Sequence, residues 1–169
     1  MKKTLDAAAL HLIATALEDS QHASAQSKSG LWVSDQPCPP MPPLDALSWS
    51  ESSPQNLLQS PWQKRHDLAV TWLSAELPWQ DVLHLLSALR DLHARQLLAF
   101  VPAGAWPEQN ALAQTDSLRA LGLQQQARFQ QGDDLIEAWS FDIRTYKTVP
   151  DWLNPRFWAN PENWNKYRW

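Results

Sequence analysis

Three acidic residues, Asp35, Glu51 and Glu76, each lie at or just after the end of a short apolar run in the sequence. A carboxylate at such a position can act as an acid, a base or a hydrogen-bond acceptor. Asp35 and Glu76 are therefore candidates for a carboxylate pair in acid–base chemistry. The alternative interpretation is that Asp35 opens a turn and that Glu76 is solvated.

The other reactive side chains form no catalytic or metal-ligating pattern. Cys38 is the only cysteine, which excludes an intramolecular disulfide and a cysteine-based zinc site. It lies between prolines and is interpreted as an incidental thiol. The five histidines include no pair at ligand spacing near a further ligand, and His84 and His93 are interpreted as surface residues. The sequence therefore predicts no metal site and no identifiable catalytic residue.

The segment from Asp67 to Pro102 has the pattern of a strand, a crossover helix and a second strand. The runs 68–73 and 97–101 are short and almost entirely apolar, as in parallel strands that are covered on both faces. Between them, apolar residues recur at helical spacing: Val82, Leu85, Leu86, Leu89 and Leu92. These features predict a right-handed βαβ unit, with a three-helix bundle as the alternative.

The rest of the chain adds elements around this unit. Helices are predicted over 5–19, 54–58 and 107–121, with Leu112, Leu118 and Leu121 as core contacts of the last. Strands are predicted over 30–35, 46–50, 123–130 and 135–143, and the last two are joined by the turn 131–134 as an antiparallel hairpin. Prolines stiffen the connection 36–43. We predict an α/β fold with three layers, a mostly parallel sheet and a C-terminal antiparallel hairpin.

The segment 144–169 is rich in tryptophan, proline and asparagine. We predict one domain over 1–143, with this tail packed on it. A protein-partner surface and a single-stranded nucleic-acid site are two alternatives for the tail, because aromatic and basic residues alternate there. The candidate surface residues are Trp152, Arg156, Trp158, Trp164 and Arg168.

Composition limits the class of protein. The net charge of −4 gives no overall basic field for nucleic acid, and no stretch is long and apolar enough to cross a membrane. Lys2, Lys3 and the apolar residues after them imitate a signal peptide. Asp6 and His11 interrupt that pattern, so an amphipathic helix and a cytoplasmic location are preferred.

The element order resembles the class I S-adenosylmethionine-dependent methyltransferase fold in a reduced form. The resemblance is carried by 67–76 as a middle strand with its loop, by 80–101, and by 120–123 leading into the hairpin. It implies a Rossmann-like fold over residues 30 to 143. The tail segments 146–147, 150–154 and 157–161 resemble an uncharacterised bacterial family of unknown function.

Because ligands of open parallel sheets bind beyond the carboxyl ends of the strands, the candidate ligand crevice lies there. Such methyltransferases also place a glycine-rich loop after the first strand, and an acidic residue after the second strand often holds the cofactor ribose. Here 34–39 contains no glycine, whereas Glu51 occupies the acidic position. The candidate cofactor-binding residues are Ser34, Asp35, Glu51, Ser74, Glu76 and Gly104.

Three functions follow as hypotheses. The preferred one is a non-catalytic methyltransferase-like domain used for binding or assembly, with no cofactor expected. The second is an active methyltransferase that binds S-adenosylmethionine through an atypical loop. The third is single-stranded nucleic-acid binding through the tail.

Overall fold

The computed structural model describes residues 7–21, 28–38 and 47–146. The strands are β1 Lys28–Val33, β2 Leu47–Ser52, β3 His66–Trp72, β4 Ala94–Pro102, β5 Gln124–Gln131 and β6 Asp134–Asp142. The helices are α1 Ala7–Gln21, α2 Pro54–Gln59, α3 Trp79–Ala88, α4 Ala111–Ala120 and α5 Ile143–Tyr146. A π turn, Leu89–His93, connects α3 directly to β4.

The described strands form one sheet in the order β2-β1-β3-β4-β6-β5. The first four strands are parallel, and β6 pairs antiparallel with both β4 and β5. The predicted mostly parallel sheet with a terminal hairpin is thereby confirmed. The chain order reverses between β1 and β3, so this is the switch point at which open sheets bind ligands.

Helices cover both faces of the sheet, as the three-layer prediction requires. On one face, Ala9, Ile13 and Leu17 of α1 are buried against β3, β4 and β6. On the other face, α3 and α4 contribute buried residues to a larger core, and α2 packs against that core. The predicted apolar stripe of α1 is confirmed for its described residues. Among the described helices, none is long and apolar enough to span a membrane.

Gly30 leaves room for the side chain of Trp49 from the neighbouring strand β2. A Cβ atom at this position would lie 2.6 Å from the ring of Trp49, which packs over the glycine. The interior of β1 therefore needs a residue without a side chain.

The π turn overturns two expectations about the end of the crossover helix. The Ala94 N–H donates to the carbonyl of Leu89, five residues back, which inserts one extra residue into the last turn. This shift turns Leu92 outward, with 51% of it exposed, and buries His93. The predictions that Leu92 lies on the buried face and that His93 lies on the surface are both wrong, whereas His84 is exposed as predicted.

Helix α4 begins later than predicted and presents its first turn to solvent. Asn110 is the N-cap, and its Oδ1 accepts a hydrogen bond from the Ala113 N–H at 2.7 Å. Leu112 is 69% exposed, so its assignment to the core is wrong. Leu118 is buried as predicted, and Gly122 follows the helix with a left-handed φ of +79°, which favours glycine after a helix C-terminus.

The hairpin has the predicted turn, and the side chains of β6 alternate between the two faces of the sheet. Gly132, with φ of +62°, lies in the two-residue connection between paired Gln131 and Asp134. Trp139 lies in the core on the α3 side, and Ile136 lies in the core on the α1 side. Beyond α5, residues 147–169 lie outside the described part of the chain. The prediction that the tail packs on the domain therefore remains a prediction.

Candidate functional site

The loop after β1 is held in place by its own side chains. The buried indole of Trp32 donates from Nε1 to the carbonyl of Gln36 at 2.9 Å. The Gln36 N–H donates to Oγ of Ser34 at 3.2 Å, and the Ser34 N–H donates to the carbonyl of Ser52 in β2 at 3.2 Å. Ser34 is only 8% exposed, so its hydroxyl serves the loop itself.

Asp35 and Ser74 meet at the switch point between β1 and β3. The Ser74 hydroxyl donates to Oδ2 of Asp35 at 3.5 Å, which joins the loops that follow these two strands. Glu76 is exposed in the turn after β3, and no hydrogen bond within the described residues joins it to Asp35. The structure therefore brings Asp35 to Ser74, and not to Glu76.

Glu51 lies near the end of β2, opposite Trp32 in the parallel register. Its Oε2 accepts a hydrogen bond from the backbone N–H of Cys38 at 3.3 Å. The Cys38 thiol is partly buried, and this burial, reinforced by the negative charge of Glu51, raises its pKa to about 11. The carboxylate in the expected ribose position thus holds the loop after β1, and the nearby thiol is protonated at neutral pH.

The loop after β4 is anchored to the loop after β3 by Trp106. This residue is 2% exposed, and its Nε1 donates to the carbonyl of Leu77 at 2.7 Å. Its ring lies 5.1 Å from that of Trp79, and its carbonyl accepts from the amide of Gln114 at 3.0 Å. Sequence reasoning missed Trp106 because no apolar periodicity surrounds it. Gly104 in the same loop is exposed, with φ of +75°.

A polar groove of about 250 Å³ runs from the beginnings of β3 and β4 to the carboxyl end of β2. His66 and His93 line it and are 6% and 9% exposed, and it continues past Lys64 to Glu51 and Ser52. Burial lowers the pKa of both imidazoles. For His66 the neighbouring Lys64 and His93 lower it further, whereas Asp67 acts in the opposite direction. Sequence reasoning missed this pair because the π turn that buries His93 was not foreseen.

The two buried histidines predict a loss of stability in acid. The unfolded chain takes up protons as pH falls through about 6.5, whereas the folded chain does so only at lower pH. The free energy of unfolding should therefore decrease below about pH 6.5, by up to about 1.4 kcal/mol per pH unit for each histidine. Urea unfolding at a series of pH values measures this slope. Replacing both residues (His66→Gln with His93→Gln) should flatten it, and the exposed-residue control His84→Gln should leave it unchanged. An equal slope in the double variant and the wild type contradicts this assignment.

The predicted partner residues Trp152, Arg156, Trp158, Trp164 and Arg168 lie outside the described residues. Within the described ranges, no three histidine, cysteine or acidic side chains gather as ligands for a metal ion.

Comparison with known proteins identifies the family. A model described as "Family of unknown function (DUF6231)" matches residues 7–169. The chain belongs to this family. The DUF6231 description agrees with the resemblance that the tail motifs predicted. No protein of curated function matches this DUF6231 chain by sequence.

Solved structures are similar to this DUF6231 member to different degrees. WbdD is 12% identical with a TM-score of 0.59, covering 83% of this chain and 41% of its own. The chain thus spans about two fifths of the WbdD chain. The METTL16 MTase domain is 12% identical with a TM-score of 0.47 (83% and 70% covered). A TehB-like SAM-dependent methyltransferase from Corynebacterium glutamicum is 10% identical with a TM-score of 0.43 (81% and 100% covered). The likeness to WbdD concerns the fold alone. The predicted methyltransferase-like, Rossmann-type fold is confirmed.

Proposed function

We propose that this protein is a methyltransferase-like domain without catalytic activity, which works as a binding or assembly module. The observation that carries the proposal is the hydrogen bond from the Cys38 N–H to the Glu51 carboxylate. In active relatives of this fold the acid after the second strand often holds the cofactor ribose. Here the same position fastens the loop after β1 to the end of β2.

The composition of that loop supports the proposal. The sequence from Ser34 to Pro43 contains five prolines and no glycine. Close approach of a backbone to a cofactor favours glycine, whereas proline restricts φ and lacks an N–H donor. The Ser74 hydroxyl and the Asp35 carboxylate, which line the switch point, are likewise hydrogen-bonded to each other.

Thermal unfolding with and without S-adenosylmethionine or S-adenosylhomocysteine tests the proposal. A ligand at about a hundredfold its Kd stabilises a fold by about 2.7 kcal/mol, equivalent to a rise in Tm of roughly 5 °C or more. We expect no rise for this protein under conditions that stabilise a methyltransferase domain used as the positive control. A rise of this size with either compound refutes the absence of a cofactor site.

An active methyltransferase is the second candidate, because Glu51 does lie at the end of β2, beside the loop after β1. A bound cofactor could replace the Cys38 N–H as the hydrogen-bond donor to the Glu51 carboxylate. This candidate predicts cofactor binding that Glu51→Gln weakens, with little change in unfolding without cofactor. It fails if neither the wild type nor the variant binds.

A further inference from the structure

A rigid, exposed aromatic side chain lies beside the π turn. Trp62 is 56% exposed, and its Nε1 donates to the carbonyl of Leu92 at 2.9 Å. Leu92 is itself 51% exposed, so an aliphatic side chain is exposed on the residue whose carbonyl the indole contacts. We call Trp62 and Leu92, with the flanking Lys64, Arg65 and Arg95, the Trp62 surface. It lies where β3 and β4 begin, at the opposite end of these strands from the crevice.

The backbone under this surface is fixed by hydrogen bonds to the carbonyls of the π turn and its neighbour. Arg65 donates from Nε to the carbonyl of Ala94 at 3.0 Å and from Nη2 to that of Arg90 at 3.1 Å. With the Trp62 indole, three side-chain N–H groups thus donate to the backbone of this turn and the residue after it. A surface that is already ordered loses little conformational entropy when a partner binds.

The Trp62 surface is basic, although the chain as a whole is acidic. The segments 61–67 and 89–95 contain four Lys or Arg residues (Lys64, Arg65, Arg90 and Arg95) and two Asp residues (Asp67 and Asp91). Their balance is therefore +2, against −4 for the whole chain. A binding partner with negative charge would complement this end of the molecule.

We propose that the Trp62 surface binds an acidic segment of a partner protein that carries an apolar side chain. The inference rests on the proposed function of a binding module and names the chemistry of its partner. Exposed tryptophan and arginine are the residue types that dominate binding energy at protein interfaces. The apolar side chain of the partner packs against the indole or Leu92, and its carboxylates face Lys64 and compete with Asp67 for Arg95.

A protein segment fits this surface better than nucleic acid. Arg65 is directed at two backbone carbonyls, and Arg90 pairs with Asp91 at 2.6 Å and donates to the carbonyl of Leu121 at 2.5 Å. Arg95 also lies 3.9 Å from a carboxylate oxygen of Asp67. Three of the four cations are therefore already engaged within the chain, and few are available for a row of phosphates. The aliphatic Leu92 beside the indole also provides a contact for an apolar side chain rather than for a base.

Selection of random short peptides displayed on phage, with the full chain as immobilised bait, tests the proposal. Enriched peptides should carry net negative charge and at least one large apolar residue. Their binding should weaken at least about tenfold in Trp62→Ala, and raised salt should weaken it further. Leu112→Ala is the matched control, because Leu112 is an exposed leucine on α4 outside this surface. It should bind the peptides as the wild type does.

Two further variants keep the test decisive if Trp62→Ala unfolds. Lys64→Glu and Leu92→Asp alter only exposed positions of the surface, and each should reduce binding of the enriched peptides. The proposal is overturned if no peptides are enriched, if those enriched are not acidic, or if none of the three variants weakens them. An oligothymidylate strand that binds the wild type and loses affinity in Trp62→Ala overturns it in favour of nucleic acid. If the protein binds a cofactor and also binds the peptides, only the proposed absence of a cofactor site is refuted. Failure of that proposal and failure of the peptide-binding proposal are therefore distinguishable.

Discussion

Replacing Trp106 with alanine should lower the free energy of unfolding by about 3–5 kcal/mol, as is typical for buried tryptophans. The side chain is 2% exposed and packs against Trp79, so its loss leaves a large cavity on the α3 side of the sheet. It also leaves the carbonyl of Leu77 without its indole donor. These contacts join the loops after β3 and β4. The same change should therefore loosen the carboxyl end of the sheet, where the candidate crevice lies.

Urea unfolding measures this effect, and two variants separate its causes. Trp106→Phe keeps an aromatic ring and removes the indole donor, so it should cost about 1–3 kcal/mol from the unpaired carbonyl. Trp62→Ala is the exposed counterpart and should cost less than either. The assignment is wrong if Trp106→Ala costs no more than Trp62→Ala.

Cys38 should react about a hundredfold more slowly with iodoacetamide than the same thiol in the unfolded chain. The thiolate is the reacting species, and a pKa raised from 9.0 to about 11 reduces its population by about that factor at mildly alkaline pH. The comparison is made on one protein, with and without urea, by following carbamidomethylation over time.

The Glu51→Gln variant tests the smaller of the two causes of this shift. Removing the negative charge should lower the pKa of Cys38 and speed the reaction, but only in part, because burial is the larger cause. A folded wild type that reacts as fast as the unfolded chain contradicts the partial burial of the Cys38 thiol. Equal rates in the variant and the folded wild type would show that Glu51 does not act on the thiol.

The order of elements along the chain and the mostly parallel sheet could be predicted because they depend on local patterns. The apolar runs of β3 and β4, the helical spacing in α3 and the turn at Gly132 each specify their element from a few neighbouring residues. The π turn could not be predicted in this way. Its carbonyls are held by Trp62 and Arg65, which lie about 25 to 30 residues away in sequence. The apolar periodicity within the helix does not indicate that contact.

The candidate site was predictable in its location but not in its bonding. Parallel strands bring their carboxyl ends to one edge, so Asp35 and Ser74 could be expected to lie near each other. The hydrogen bond between the Cys38 N–H and Glu51 depends on how a proline-rich loop folds back over β2, which composition does not specify. Burial of His66 and His93 likewise depends on tertiary packing.

Calorimetric titration of the purified protein with S-adenosylhomocysteine is the most direct test of whether this protein has a cofactor site. We expect no saturable heat, because the carboxylates of Glu51 and Asp35 already accept hydrogen bonds from Cys38 and Ser74. Saturable binding with a micromolar Kd would contradict this expectation. That result would show that the loop after β1 admits the cofactor, and it would make the Glu51→Gln variant the next protein to titrate.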